Sequence, residues 1–345
     1  MTRTGSDSLA LASRPRLRFG RLAKASSGTR IGGNCLPGKK PGLRFVLAGV
    51  ILLAQSARAA ASEAIYNPPT GFWIAPNNFG HDYYGSTSPS ANWHIAQWDI
   101  PQGLPPFGDR GITFNRWARV AWLGGGSYEL SQDGSTAPDG SALPCEKVFP
   151  TGRRLPDEFD LLAESNNSNA RGFPLAVGSV DFTLASVTRL ETSITLQINQ
   201  AYAADDACSI SQTSFVDVVV LSDRALKQTL FFTVRLGFFR FSGAPASLRP
   251  AWFFKGNNIQ FGGARTWGFD DNTDSFNQPL ASIGTAQHYQ FDLLPRILSV
   301  ISDGAQYGLD QDLTHWRFSG TYHGQNIWGH VKNDAVWSDY SLSAN

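Results

Sequence analysis

The stretch "TSITLQINQ", residues 192–200, alternates without a break: Ile194, Leu196 and Ile198 take one parity, Thr195, Gln197 and Asn199 the other. Successive side chains of a β-strand point to opposite faces, so this pattern predicts a strand with one face in a core and the other polar. The next two apolar runs, "FVDVVVL" and "TLFFTVRLGFFRF", carry β-branched and aromatic residues on both parities. That is the pattern of strands covered on two sides. "SDRALKQ" between them supplies a turn, and further strands are expected over 117–123, 252–254 and 259–261, separated by Gly, Pro and Asn clusters. Many strands joined by glycine-rich turns predict an all-β fold, a two-sheet antiparallel β-sandwich of the jelly-roll kind. One segment departs from it. In "FDLLPRILSVISDG" the residues Leu293, Leu294, Ile297, Leu298 and Ile301 recur at helical spacing, with Pro295 in the first turn and Gly304 at the end. These predict one short helix near residues 293–303.

Outside this region the composition changes. Lys39, Lys40 and Arg44 precede the apolar run "FVLAGVILLA", residues 45–54, and small residues follow in "QSARAAASEA". A basic segment, a short apolar run and an Ala-x-Ala sequence are the parts of a cleaved export signal. The run is shorter than the roughly 20 apolar residues that span a bilayer. Residues 1–59 are therefore expected to be an N-terminal extension plus signal peptide, residues 60–345 a single β-sandwich domain, and the protein secreted or periplasmic. Residues 1–59 hold 11 Lys/Arg and one Asp, which leaves 29 − 11 = 18 basic and 28 − 1 = 27 acidic residues beyond them, a net of −9. Nucleic-acid binding is dominated by Lys and Arg contacts to phosphate, so nucleic acid is not an expected partner.

Cys145 and Cys208 are the two cysteines left beyond residue 59. In an oxidising compartment an even pair reads as one disulfide, with two separate thiols as the alternative. His315, His323 and His330 form no His-x-His pair, and no metal or cofactor is expected. The acidic run "FDDNTD", residues 269–274, reads as an exposed polar turn in preference to a calcium site.

Near the C-terminus, "THWRFSGTYHGQNIWG", residues 314–329, mixes strand alternation with glycines, aromatic rings and hydrogen-bonding tips. Trp316, Phe318 and Tyr322 share a parity with Gly320 and Gly324, while Arg317, Thr321, His323 and Gln325 share the other. Rings with polar tips suit a sugar, whose apolar CH faces stack and whose edges hydrogen-bond. Glycine leaves room for a ligand or for another backbone. Trp93 and Trp98 in "NWHIAQWDIP" differ in parity, so one of the two at most faces a groove.

This helix, the strand "HWRFSGTYHGQNIWG" and the closing segment "AVWSDYSLSAN" resemble the end of the family 12 glycoside hydrolases, secreted jelly-roll endoglucanases. Gly324 and Trp328 fall on that family's glycine and tryptophan, and "PNNFG" upstream resembles its early Asn-Asn-x-Trp-Gly stretch. The resemblance implies a concanavalin-like jelly roll with a polysaccharide groove. It also implies a general acid/base glutamate at the position held by Asn326, and a nucleophile strand whose counterpart is "DVVVL", with Asp217 in the nucleophile's place. A retaining mechanism needs two carboxyl groups about 5 Å apart. Asparagine cannot donate the proton, so the implied pair is broken.

Asp217 interrupts an apolar run, either as a solvated strand-end residue or as a carboxylate facing a cleft. Were it catalytic, its second carboxylate would come from Glu191, Glu164 or Glu129. The expected ligand is a polysaccharide or oligosaccharide held by Trp328, Trp316, Tyr322, Gln325, His323 and Trp98. The expected function is a carbohydrate-binding relative of endoglucanases. Its alternatives are an active β-glucan hydrolase with Asp217 as one catalytic carboxylate, and a structural envelope protein without ligand.

Overall fold

The computed structural model describes residues 63–66, 68–73, 82–83, 93–98, 104–105, 107–136, 144–148, 154–156, 158–166, 182–243, 248–257 and 265–345. The expected signal segment, the "PNNFG" stretch and the strand at 259–261 lie outside the described residues.

In chain order the strands are β1 (Glu63–Tyr66), β2 (Phe72–Trp73), β3 (Asp82–Tyr83), β4 (Trp93–Trp98), β5 (Ile112–Phe114) and β6 (Ala118–Gly124). Then come β7 (Ser127–Asp133), β8 (Glu146–Val148), β9 (Arg154–Pro156), β10 (Glu158–Asn166), β11 (Leu190–Ala203) and β12 (Ser211–Asp223). The last six are β13 (Gln228–Ser242), β14 (Ala251–Asn257), β15 (Arg265–Asn272), β16 (Ala286–Asp292), β17 (Trp316–Trp328) and β18 (Val331–Ala344), with helix α1 (Leu294–Gly304) between β16 and β17.

Two sheets form the sandwich. A seven-stranded sheet runs β16-β11-β18-β7-β6-β5, with β1 also on β18. A nine-stranded sheet runs β14-β15-β13-β12-β17-β10-β4-β2, with β3 also on β4. Pairing is antiparallel except for β13 with β15 and β2 with β4. The expected two-sheet sandwich with one short helix is the observed fold.

Alternation along β11 does what its sequence demands: Ile194, Leu196 and Ile198 are fully buried, and Thr195, Gln197 and Asn199 lie on the outer face. On the facing sheet Phe215, Val219 and Leu221 of β12 and Leu230, Phe232, Val234 and Leu236 of β13 meet them in one core. Five tryptophans, Trp93, Trp117, Trp267, Trp316 and Trp337, are also sealed there. Half of the ten tryptophans are thus core packing.

Helix α1 is amphipathic as its spacing predicts, burying Leu294, Ile297, Val300 and Ile301 with Pro295 in its first turn. Gly304 does not stop the chain. A 3₁₀ turn over Ala305–Tyr307 follows, and the left-handed stop is Gly308, at φ 86°. Gly304 is needed for space, since a Cβ there would lie 2.6 Å from Leu309.

Cys145 and Cys208 form a disulfide with their Cα atoms 5.2 Å apart. It closes a separation of 63 residues, and on the chain-entropy model such a cross-link stabilises by about 4 kcal/mol. Gly329, in the tight turn joining β17 to β18, has φ 72° and packs against this bridge, where a Cβ would lie 3.0 Å from that of Cys208. Among the described residues no helix is long and apolar enough to cross a membrane.

Candidate functional site

Strand β17 decides where the expected site residues go. Its register with β12 shifts between Val220, opposite Gly320, and Leu221, opposite Phe318, so Ser319 is an extra residue and the strand bulges. A bulge inserts one residue and exchanges the faces beyond it. Trp316 and Phe318 therefore point between the sheets, and past the bulge the inward residues are Thr321, His323, Gln325 and Ile327. Two contacts to the opposite sheet mark that direction: Thr321 Oγ1 lies 2.6 Å from the Tyr340 hydroxyl, and Gln325 Nε2 donates to the Leu130 carbonyl at 3.0 Å. Tyr322, Gly324, Asn326 and Trp328 occupy the outer face.

The six expected sugar contacts are thereby divided. Trp316, His323 and Gln325 are each 0% exposed within the core and cannot touch a polymer outside it. Tyr322 and Trp328 lie on the outer face with Asn326. Trp98 pairs in register with Asp160. Gly324 faces outward too, but the neighbour its missing side chain admits is β10, for a Cβ there would collide with the Leu161 carbonyl and lie 2.9 Å from the Leu162 Cα.

Asp217 is likewise an inter-sheet residue, 1% exposed, accepting a hydrogen bond from Thr192 Oγ1 of the opposing sheet at 3.0 Å. Burial raises its carboxyl to about 7 against the hydrogen bonds from Thr192 and Val218. It is neither a solvated strand-end residue nor a cleft carboxylate. The outward residues beside it on β12 are Val216 and Val218, which pack with Leu162, Phe231 and Tyr322.

The outer face of β10 holds what that of β12 lacks. In "EFDLLAES", Glu158, Asp160, Leu162 and Glu164 share one parity and Phe159, Leu161 and Ala163 the other. Register places the first set opposite Trp328, Asn326, Gly324 and Tyr322 of β17 in that order. Asn326 is held on three sides: Nδ2 donates to Asp160 Oδ1 at 2.5 Å and to Glu158 Oε1 at 3.3 Å, while Oδ1 accepts from Ser214 Oγ at 3.3 Å. Since both carboxylate oxygens reach one nitrogen, they are at most 2.5 + 3.3 = 5.8 Å apart.

Glu164 pairs with His94 Nε2 of β4 at 3.1 Å, and Arg235 of β13 with Asp270 of β15 at 2.8 Å. Ionisation of the Tyr322 hydroxyl is opposed first by burial, then by the charges of Asp160, Glu164, Asp270 and Glu158, which locates four carboxylates around one ring. Of these, only Glu164 was among the expected partners of a catalytic carboxylate. Glu191 instead pairs with Arg189 and Gln290, and Glu129 with Arg119. Glu158, Asp160, His94, Ser214 and Asp270 were missed; period-two alternation in "EFDLLAES" was the signal available for the first two.

The other clusters are explained by their pairing. His315 Nδ1 lies 2.6 Å from Asp310 and its Nε2 3.4 Å from Asp312, while buried Asp223 accepts from the backbone of Ala225 and Leu226. His330 packs beside the disulfide and pairs with Asp205 at 2.8 Å. In the "FDDNTD" run Asp271 is 1% exposed and paired with Arg296 of α1, so the expectation of an exposed turn does not hold there. A depression of about 190 Å³ lies away from this face, lined by Arg116, Arg119, Asp133, Gln200 and Lys332 among others. Its Lys332 and Asp133 neutralise one another at 2.7 Å.

No protein-family model matches the chain, and no curated protein sequence matches it. Solved structures similar to it include a family 12 xyloglucanase from Bacillus licheniformis, 10% identical, covering 72% of this chain and 100% of that one at a TM-score of 0.40. The xyloglucanase domain of a type three effector from Sinorhizobium fredii, in complex with cellobiose, is 11% identical, covering 72% and 98% at 0.36. A family 11 xylanase from Neocallimastix patriciarum is 8% identical, covering 74% and 97% at 0.39. The family that the C-terminal motif resembles is thus represented among them.

Proposed function

We propose that this is an exported carbohydrate-binding β-sandwich that holds a polysaccharide along the outer face of its nine-stranded sheet, over β10 and β17. The observation that carries the reading is the cross-strand row of Glu158, Asp160 and Glu164 facing Trp328, Asn326 and Tyr322. Carboxylates and amides accept and donate to sugar hydroxyls, and the half-buried Trp328 ring offers apolar surface for a pyranose face, while Tyr322 is packed beneath it with Leu162, Val218 and Phe231. Hydrolysis of the family 12 kind is not part of the proposal, because the resemblance puts Asn326 at the position of its acid/base glutamate. The burial of Asp217 between the sheets speaks against it as the nucleophile.

A second reading has one observation in its favour. Glu158 and Asp160, with oxygens at most 5.8 Å apart, lie on one face within a bound that admits the separation of a retaining carboxylate pair, roughly 5 to 5.5 Å. On this reading the protein is a hydrolase whose pair has moved to a neighbouring strand.

Titration of the full chain with β-glucan oligosaccharides, reading tryptophan emission and reducing ends together, separates the two. Saturable quenching without new reducing ends is expected. Reducing-end release that Glu158→Gln or Asp160→Asn abolishes would replace binding by hydrolysis. Silence across a broad glycan panel would defeat both and leave a structural envelope protein.

A further inference from the structure

Within the core, β12 and β17 bring Asp217 and His323 into direct cross-strand register. Both are buried, at 1% and 0% exposure. Such neighbours have Cβ atoms about 4.5 to 5.5 Å apart, close enough to pair. They do not. Oδ1 of Asp217 and both ring nitrogens of His323 have no hydrogen-bond partner among the described residues.

Among the described residues the surroundings supply no compensating charge. The imidazole is boxed by Trp93, Tyr128, Trp337 and Tyr340, with ring centroids 5.0, 5.7, 5.6 and 4.5 Å away. Titratable groups facing the pair are Tyr128 from β7 and Tyr340 from β18, with Tyr66 of β1 behind Trp93 at 6.5 Å. All three phenols are pushed upward by burial and remain neutral. From β11 comes Thr192, an uncharged donor. Taking two charges out of water is offset only when they meet in good hydrogen-bonded geometry, and that contact is missing. Burial therefore selects the uncharged form of each group.

We propose that Asp217 and His323 form a compensating pair: folding moves one proton from the imidazole to the carboxyl, so that both enter the core uncharged and their pH dependences cancel. In the unfolded chain between about pH 4 and 6.5, aspartate is ionised and histidine protonated, one proton for the two. In the folded chain the proton sits on Asp217 and none on His323, again one for the two. Stability changes with pH only when the number of bound protons differs between states, so over this interval the pair contributes a constant.

Each member alone would not. Asp217, raised to about 7, contributes stability that is present at low pH and lost as pH rises from about 4 through 7. His323, lowered to about 3, contributes stability that is lost as pH falls from about 6.5 to 3.

The test is urea unfolding of the full chain from pH 4 to 6.5, each variant referenced to wild type so that every other group cancels. For His323→Gln the folding equilibrium constant should fall about tenfold per pH unit relative to wild type, and for Asp217→Asn it should rise about tenfold. The double variant should run parallel to wild type. Single variants parallel to wild type would overturn the proposal. Should the variants not fold, nitrogen NMR of the wild-type protein at pH 5 decides: a neutral His323 ring is expected, and an imidazolium would overturn it.

Discussion

Asn326 is placed by three hydrogen bonds that fix which end of its amide is which, and the two carboxylates it holds give it a structural task as well as a place in the proposed groove. Asn326→Leu would leave Asp160 and Glu158 without that donor on a largely buried face, and is expected to cost about 1 to 3 kcal/mol, read as a lower urea midpoint. Trp328, at the end of the same row and half-buried, is expected to matter for ligand and little for folding. Trp328→Ala should weaken oligosaccharide binding by about tenfold or more while the thermal midpoint stays within a few degrees. Trp316→Ala should do the reverse, losing about 3 to 5 kcal/mol of stability because a fully buried ring leaves a cavity. Equal effects of the two substitutions on binding would contradict the division of β17 into an inner and an outer face.

At the scale of the element, the bulge at Ser319 sets that division. Deleting Ser319 would restore unbroken alternation and turn either the Trp316–Phe318 end or the stretch from Thr321 to Ile327 out of the core, so the deletion variant should fail to give native near-UV circular dichroism. The loop before β17 is held by charge as well as by the packing of Leu309 and Leu313 on the core. His315 is raised, first by its hydrogen bond to Asp310, and Asp310 and Asp312 are both lowered, with hydrogen bonds from their own loop among the causes. The imidazolium's contribution is whole below about pH 6.5 and lost as pH rises through its folded value; that of the carboxylates is whole above about pH 4 and lost as pH falls. Hydrogen-exchange protection of this loop, relative to the core, should therefore be greatest between about pH 4 and 6.5. A monotonic profile would contradict the ion-pair account. Strand β11 could be read from alternation, β12 and β13 from their β-branched and aromatic runs, and α1 to within a residue, but most of the shorter strands could not. The bulge could not, because one inserted residue leaves no mark on composition or period beyond the local parity it exchanges.

For the molecule as a whole, the disulfide joins the segment before β8 to the segment before β12 and backs the turn at Gly329. Its removal by Cys145→Ser with Cys208→Ser is expected to cost about 2 to 5 kcal/mol, read as a lower thermal midpoint unaffected by reductant. The all-β class and the single helix follow from period and composition, because each is dictated by local steric preference or by the need to bury an apolar face, whereas the bond between Cys145 and Cys208, one of two readings the sequence left open, is decided by their proximity in the fold. The functional face is another matter. Which side of a two-sided apolar strand meets the opposite sheet depends on strand order, register and bulges, which are properties of partners far away in the chain. That is why Asp217, Trp316, His323 and Gln325, credible as groove residues in the sequence, belong to the core, and why the row that Glu158 and Asp160 form with Trp328 and Asn326 became visible only when β10 was laid beside β17.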